Sequence, residues 1–345
     1  STNYSAPTLT GAPTLAITAR ALTAAIANQT KVYGDDDPAL AGITPTLTGL
    51  VNRTVVSWDT STPINDSALT STTTDLTRAA GETVAGSTYA ITAGTFTAPS
   101  TNYSAPTLTG APTLAITQAG ALTGTISTTK IYGTNDPAAA GLPVVLTGMV
   151  NNPTVSTWNG NVAIDDSPAA KLSTTVATIT NRAGGEVVGS YGINTATFNV
   201  LGGTSAGNYS GVVNLGGTSA LAITQAPISF ALTTPLQTKQ YGQNDPALGG
   251  IGVSLSGLVN NPAIVTWNGP ASVNDSAVTG TLTGLTRAPG ENVATYAALT
   301  GAVTLSASNG NYLKSFDTTN SPQLAITPAA LTGTIANQSK TYGTT

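Results

Sequence analysis

The sequence predicts an all-β protein built as a tandem array, and three observations carry that prediction. The first is repetition. Lys130-Ile131-Tyr132-Gly133, followed by Asp136-Pro137, returns as Lys31-Val32-Tyr33-Gly34 with Asp37-Pro38 and as Lys239-Gln240-Tyr241-Gly242 with Asp245-Pro246. Lys340-Thr341-Tyr342-Gly343 opens a fourth copy. The lysines recur about every 100 residues, the length of one small domain. The second is composition: of 345 residues only 8% are charged and 5% aromatic, and Thr, Ser, Gly, Ala and Asn take their place. β-branched Thr and Val lose rotamer freedom in a helix and fit a pleated sheet. The third is punctuation. The 37 Gly and 20 Pro are spread between short apolar runs, a pattern that separates many short strands and differs from one disordered tract.

Composition also removes whole classes of chemistry. The chain has no Cys and no His, so Ser-His-Asp and Cys-His nucleophile pairs and the common zinc ligand sets are absent. No pair of carboxylates repeats beside a nucleophile or a Gly-rich phosphate cradle, so neither an enzyme nor a cofactor is expected. The net charge is −4 and the 11 basic residues are scattered, which leaves no footprint for nucleic acid. No uninterrupted apolar run reaches the roughly 18–20 residues of a membrane helix, and Ser1 does not open a signal peptide. Because the chain starts inside a repeat, targeting segments are expected outside this window.

Taken in order, Ser1 to Thr18 is identical to Ser100 to Thr117, so residues 1–19 read as the closing part of a preceding repeat. Full repeats are expected over 20–118, 119–225 and 226–327, with 328–345 opening a following one. Leu-Ala-Ile-Thr closes the repeats at Leu15, Leu114, Leu221 and Leu324. The linkers after it are short, some with Pro227 or Pro328, and predict a stiff rod or fibre.

Within a repeat, an opening strand such as Ala121 to Ile126 leads to the Tyr-Gly…Asp-Pro loop, whose residues are turn formers. A second strand is expected over Val144 to Val150, with counterparts at 46–51 and 254–259. Next come Thr154 to Trp158 and Ala263 to Trp267, ended by Asn159-Gly160 and Asn268-Gly269. Asn-Gly predicts a hairpin with both central residues at positive φ. Repeat one has Trp58-Asp59-Thr60 there, and a longer loop is expected. The chain returns through Ile164-Asp165-Asp166-Ser167, and a Thr-rich strand then ends at Arg78, Arg182 or Arg287. Gly-Glu follows, then a strand carrying Tyr89, Tyr191 or Tyr296, then Asn-Tyr. Seven or eight short strands in about 100 residues is the pattern of an immunoglobulin-like β-sandwich. Trp58, Trp158 and Trp267, one per repeat, are expected to fill the space between the two sheets of their own repeat.

The charged residues are few and regularly placed. The only glutamates are Glu82, Glu186 and Glu291, each four residues after Arg78, Arg182 or Arg287, and Lys31, Lys130 and Lys239 open the repeated phrase. The direct reading is a partly buried cluster that fixes a strand corner, since a buried charge needs a partner. A sharper reading is an isopeptide crosslink between the Lys and a Glu, Asp or Asn. Asp66, Asp166 and Asp275, with Asp37, Asp136 and Asp245, could be read as calcium ligands, but their contexts match turns better. The three Trp could form a sugar-binding face, against which stands their recurrence at one core-like position.

Set in order, Lys-x-Tyr-Gly-x-x-Asp-Pro-Ala, Leu-Thr-Gly-Leu-Val-Asn, Arg-Ala-x-Gly-Glu-x-Val…Tyr and Leu-Ala-Ile-Thr resemble the MBG/YDG family of mostly bacterial immunoglobulin-like repeats. These occur in very large secreted and surface proteins, many of filamentous haemagglutinin type. The departures are local: Met149 and Ser256 alter the second phrase, and repeat one lacks the Asn-Gly turn. The resemblance implies an extracellular bacterial setting and a stalk, adhesin or matrix (biofilm) fibre that acts by extension and self-association. It carries no catalytic residues. The alternative is an adhesin module whose loops grip a host or matrix glycan or protein.

Overall fold

The computed structural model describes residues 2–345 and is all-β: it holds no α-helix among them, and five single turns of 3-10 helix. Repeat one contains nine strands. They are β1 (Thr23–Ala25), β2 (Gln29–Val32), β3 (Thr46–Thr48), β4 (Asn52–Val56), β5 (Ser61–Asn65), β6 (Thr73–Arg78), β7 (Tyr89–Phe96), β8 (Thr107–Leu108) and β9 (Thr113–Thr117). Three sheets result, ordered β3-β1-β8, β2-β9-β7-β6 and β4-β5. The pairs β1 with β8 and β2 with β9 are parallel, and the other pairs are antiparallel. Alternation sets the faces: in Thr113–Thr117, Leu114 and Ile116 point inward and their neighbours outward. The first two sheets enclose a core of Ala24, Ile26, Ile43, Leu76, Ile91 and Phe96, with Leu47 and Leu108 packed against it.

The chain forms two compact units, whose bounds differ from the sequence period. The first comprises Ser1–Gly124, Leu146–Thr174 and Val200–Asn214. It holds repeat one together with the hairpin of repeat two, Asn151–Thr157 paired with Gly160–Asp165.

The second unit comprises Thr125–Val145, Thr175–Asn199 and Leu215–Thr345. It contains the four-stranded sheet of repeat two, ordered Ser127–Ile131, Ala220–Thr224, Gly189–Phe198, Val176–Arg182. It also contains repeat three, whose sheets are Val253–Ser256, Ala226–Leu232, Tyr312–Phe316 and Leu236–Gln240, Gln323–Thr327, Thr295–Leu305, Gly280–Arg287, with the hairpin Asn260–Thr266 and Gly269–Asn274. Ile228 and Phe230 of one sheet meet Leu282, Val303 and Leu305 of the other in a shared core.

Several sequence expectations change in detail. Each repeat has nine strands, because the expected long second strand is only Thr46–Thr48 or Val145–Thr147 and further short strands flank it. Thr157 pairs with Gly160 and Thr266 with Gly269, so the central turn residues are Trp158-Asn159 and Trp267-Asn268. Only the glycine that follows them takes a positive φ, 106° at Gly160 and 109° at Gly269. Residues 2–19 and 328–345 carry no strand, since a single edge without a ladder partner is not stable.

The main correction concerns the tryptophans. Trp58 is 97% exposed. Trp158 packs against the core cluster of repeat one, and Trp267 against Ile126, Val176, Ile179 and Ile193 of repeat two. The indole does not fill its own sandwich because it sits at the tip of a two-stranded hairpin, outside both core sheets, and the tip reaches the preceding repeat.

Candidate functional site

The place where that tip lands is a buried ion cluster. In repeat one, Lys31 faces inward from β2, Arg78 ends β6, Asp37 comes from the Tyr-Gly…Asp-Pro loop, and Glu82 follows Gly81. Gly81 has φ 136°, and an added Cβ would lie 2.5 Å from the Tyr89 ring, so only glycine admits that ring. The ring in turn supports Arg78, whose guanidinium carbon lies 5.4 Å from the ring centroid.

Asp37 takes two bonds from Arg78, Nε to Oδ2 at 2.7 Å and Nη2 to Oδ1 at 3.1 Å. Lys31 Nζ reaches Asp37 Oδ1 at 2.8 Å and Glu82 Oε2 at 2.6 Å, and Glu82 Oε1 closes the ring on Arg78 Nη2. Arg78 Nη1 donates to the carbonyls of Ala79 and Gly81 at 3.1 and 2.8 Å. Two cations and two carboxylates thus form a closed, neutral set, with the Asp37 side chain fully buried. Such a set holds only because each charge has partners. Burial pushes the Asp37 carboxyl up, but the hydrogen bonds from Arg78 and Lys31 outweigh it and hold the group below the usual range. Lys31 meets both carboxylates as ion pairs.

Repeat two has the same set. Arg182 Nε reaches Asp136 Oδ2 at 2.8 Å, while Lys130 Nζ reaches Asp136 Oδ1 at 2.8 Å and Glu186 Oε2 at 2.5 Å. Arg182 stands 5.4 Å over the Tyr191 ring.

The hairpin of the next repeat closes each of these two clusters, bonding the aspartate oxygen that the arginine Nε also binds and the main-chain groups beside it. Trp158 N–H donates to Asp37 Oδ2 at 3.0 Å, and its indole Nε1 donates to Pro38 O at 3.0 Å. Asn159 accepts from Arg78 N at 3.2 Å and donates to Arg78 O at 2.8 Å, a two-point match to one residue of the β6 edge. Asp37 N donates to Ser156 O and Ser156 N to Asp36 Oδ1, at 2.8 and 2.7 Å. In the second unit, Trp267 N donates to Asp136 Oδ2 at 3.0 Å, its Nε1 donates to Pro137 O at 2.9 Å, and Asn268 makes the paired bonds to Arg182, both 2.8 Å.

A second lock stands at the base of each hairpin. Asp166 accepts from Tyr33 and Tyr209, at 2.9 and 2.7 Å, and from Ser205. Asp275 accepts from Tyr132 and Tyr312 at 2.9 and 2.6 Å and from Ser308. The Tyr-Gly tyrosine therefore belongs to one repeat and the aspartate to the next. Gly34 is required beside it: at φ 89°, an added Cβ would meet Val150 Cγ1 at 2.6 Å. Burial, then the adjacent Asp166, pushes the Tyr33 phenol up to about 12.

Of the residues singled out from sequence, the structure gathers Lys31, Arg78, Glu82 and Tyr89 around Asp37, and Lys130, Arg182, Glu186 and Tyr191 around Asp136. Lys239, Arg287, Glu291 and Tyr296 gather around Asp245. Trp158 and Trp267 join the first two sets, and Trp58 joins none. The six aspartates read as calcium candidates separate into two kinds. Asp37, Asp136 and Asp245 pair with cations; Asp66, Asp166 and Asp275 accept from hydroxyls, Asp66 from Tyr103 at 2.6 Å. Sequence reading missed the Asn159 and Asn268 side chains and the Tyr33-Asp166 pairing, whose partners lie 81 to 133 residues apart. The one available signal was recurrence: the Asp of Asp66, Asp166 and Asp275 and the Tyr of the Tyr-Gly phrase return in every period, and the Asn in two of the three.

Residues 22–111 match the family model of the MBG domain, YGX type. No curated protein matches the chain. A solved structure described as the N-terminal four Ig domains of Dscam1 isoform 9.44, with zinc, is similar at 10% identity and a TM-score of 0.16, over 89% of this chain and 73% of that one. So low a score carries no argument. The family match covers the whole lysine-to-tryptophan stretch of repeat one, including its ion cluster, and repeat one is an MBG-type repeat of the YGX class.

Proposed function

We propose that this chain is a structural repeat region, a stalk or fibre segment of a large bacterial surface or secreted protein, acting by extension and association and without catalysis. The observation that carries the reading is the interlocked seat, seen twice with the same hydrogen bonds: Trp158 on the Asp37 cluster and Trp267 on the Asp136 cluster. Each places one repeat's hairpin on the preceding repeat through charge-assisted and main-chain bonds. Nearest-neighbour closure of this kind stiffens an array and lets stability grow with copy number. The charges of the seat are paired with one another, which suits a mechanical role. Immunolabelling electron microscopy of the source cells tests it: an antibody to this chain should decorate thin extensions beyond the cell envelope. Label confined to the cell interior would refute the reading.

A further inference from the structure

The same seat exists a third time, unfilled. In repeat three, Lys239 Nζ reaches Asp245 Oδ1 at 2.8 Å, and Arg287 Nε reaches Asp245 Oδ2 at 2.7 Å, while Glu291 closes the ring on both cations. The distances match those of the filled seats, so the cluster is assembled before anything covers it. Exposure separates them: the Asp245 and Glu291 side chains are 47% and 63% accessible, against 0% and 11% for Asp37 and Glu82. Beside the cluster opens a cavity lined by Leu232, Leu248, Ile251, Leu285 and Ala298, with Asp245 and Arg287 at its rim. Leu248, Ile251 and Leu285 stand at the positions of Leu40, Ile43 and Leu76, which belong to the hydrophobic group of repeat one that Trp158 packs against. Tyr241, counterpart of the buried Tyr33 and Tyr132, is also exposed.

We propose that this face of repeat three is a binding socket for a Trp-Asn-Gly β-hairpin of another repeat of this kind. The indole enters the cavity and donates to Pro246 O, the Trp main-chain N–H donates to Asp245 Oδ2, and the Asn side chain pairs with the main chain of Arg287. A second copy of this chain is a poor source. Trp158 and Trp267 are already seated, and Trp58 sits in a wider turn, Ser57 to Thr60, closed by the Val56-Ser61 pair. It also carries Asp59 where the seated turns carry Asn, and a carboxylate cannot donate to a carbonyl. The inference rests on the geometry alone and survives failure of the surface role proposed above.

Two experiments test it. In the first, a head-to-tail cyclised, fluorescein-labelled peptide of residues 258–275 is titrated into the full chain. Saturable one-to-one binding is expected, with slowed hydrogen exchange over residues 244–251 and 285–291. Trp267→Ala in the peptide should weaken binding by about tenfold or more, as loss of a buried anchor does, and Asn268→Asp should weaken it less. Binding indifferent to Trp267→Ala, or protection elsewhere, overturns the proposal. The second needs no isolated hairpin: residues 51–60 of the full chain are replaced by the sequence of 259–269. This gives the chain a free Trp-Asn-Gly tip, and analytical ultracentrifugation should show concentration-dependent head-to-tail oligomers that Asp245→Lys abolishes, while the parent stays monomeric. A folded swap variant that remains monomeric also overturns it.

Discussion

Asp37 shows how few residues carry this design. One carboxylate accepts from Arg78 twice and from the main chain of Trp158, and pairs with the Lys31 ammonium. Asp37→Asn would leave two buried cations short of charge, and a loss of about 3–5 kcal/mol is expected in urea unfolding, the usual penalty for breaking one side of a buried ionic set. The pH response follows from the same groups. Asp37 and Asp136 are held below the usual carboxylate range, and Arg287, then Lys239, hold Asp245 at about 2. Depressed folded-state values stabilise at pH above the ordinary carboxylate value near 4 and lose that contribution as pH falls through the folded value. Thermal melts should therefore be flat from pH 7 to about 5 and drop steeply between about 4 and 2. At the alkaline end the sign reverses, because the Tyr33 phenol is raised to about 12. Its contribution is intact below the ordinary tyrosine value near 10 and is lost as pH rises through 12. Phenolate absorbance should show Tyr33 and Tyr209 ionising only as the fold is lost.

At the scale of elements, the hairpin decides more than either sheet. Asn151–Thr157 and Gly160–Asp165 contribute little to the core of their own repeat, and their tip completes another. Trp158→Ala should cost about 3 kcal/mol, near the low end for removing a large aromatic from a packed site. Trp58→Ala should stay within about 0.5 kcal/mol, as for an exposed residue. Paired denaturation curves check both. The strands, the turns and the gathering of Lys, Arg and Glu were legible because alternation, Gly and Pro punctuation and a repeated charge spacing are local signals. The destination of the tryptophan was not. A lone indole per repeat reads as a core residue, and nothing within one period distinguishes packing inward from packing on a neighbour's edge. Asp59 in place of Asn159 is the one residue that hints at the difference, because Asn at that position is needed only if a main-chain partner faces it.

For the whole molecule, the consequence is that stability passes from each repeat to the one before it. Repeat one's ion cluster is sealed by residues 156–159, and repeat two's by residues 265–268. In a nearest-neighbour array, such interface contributions set which segments open together. The most direct test is hydrogen exchange on the full chain carrying Trp158→Ala. Exchange should accelerate in repeat one, over residues 73–78 and 89–96, although the substitution lies in repeat two, and residues 176–182 should be unchanged. Acceleration confined to residues 176–182 and 189–198, with repeat one protected as before, would mean that the indole serves its own sandwich and would contradict the account.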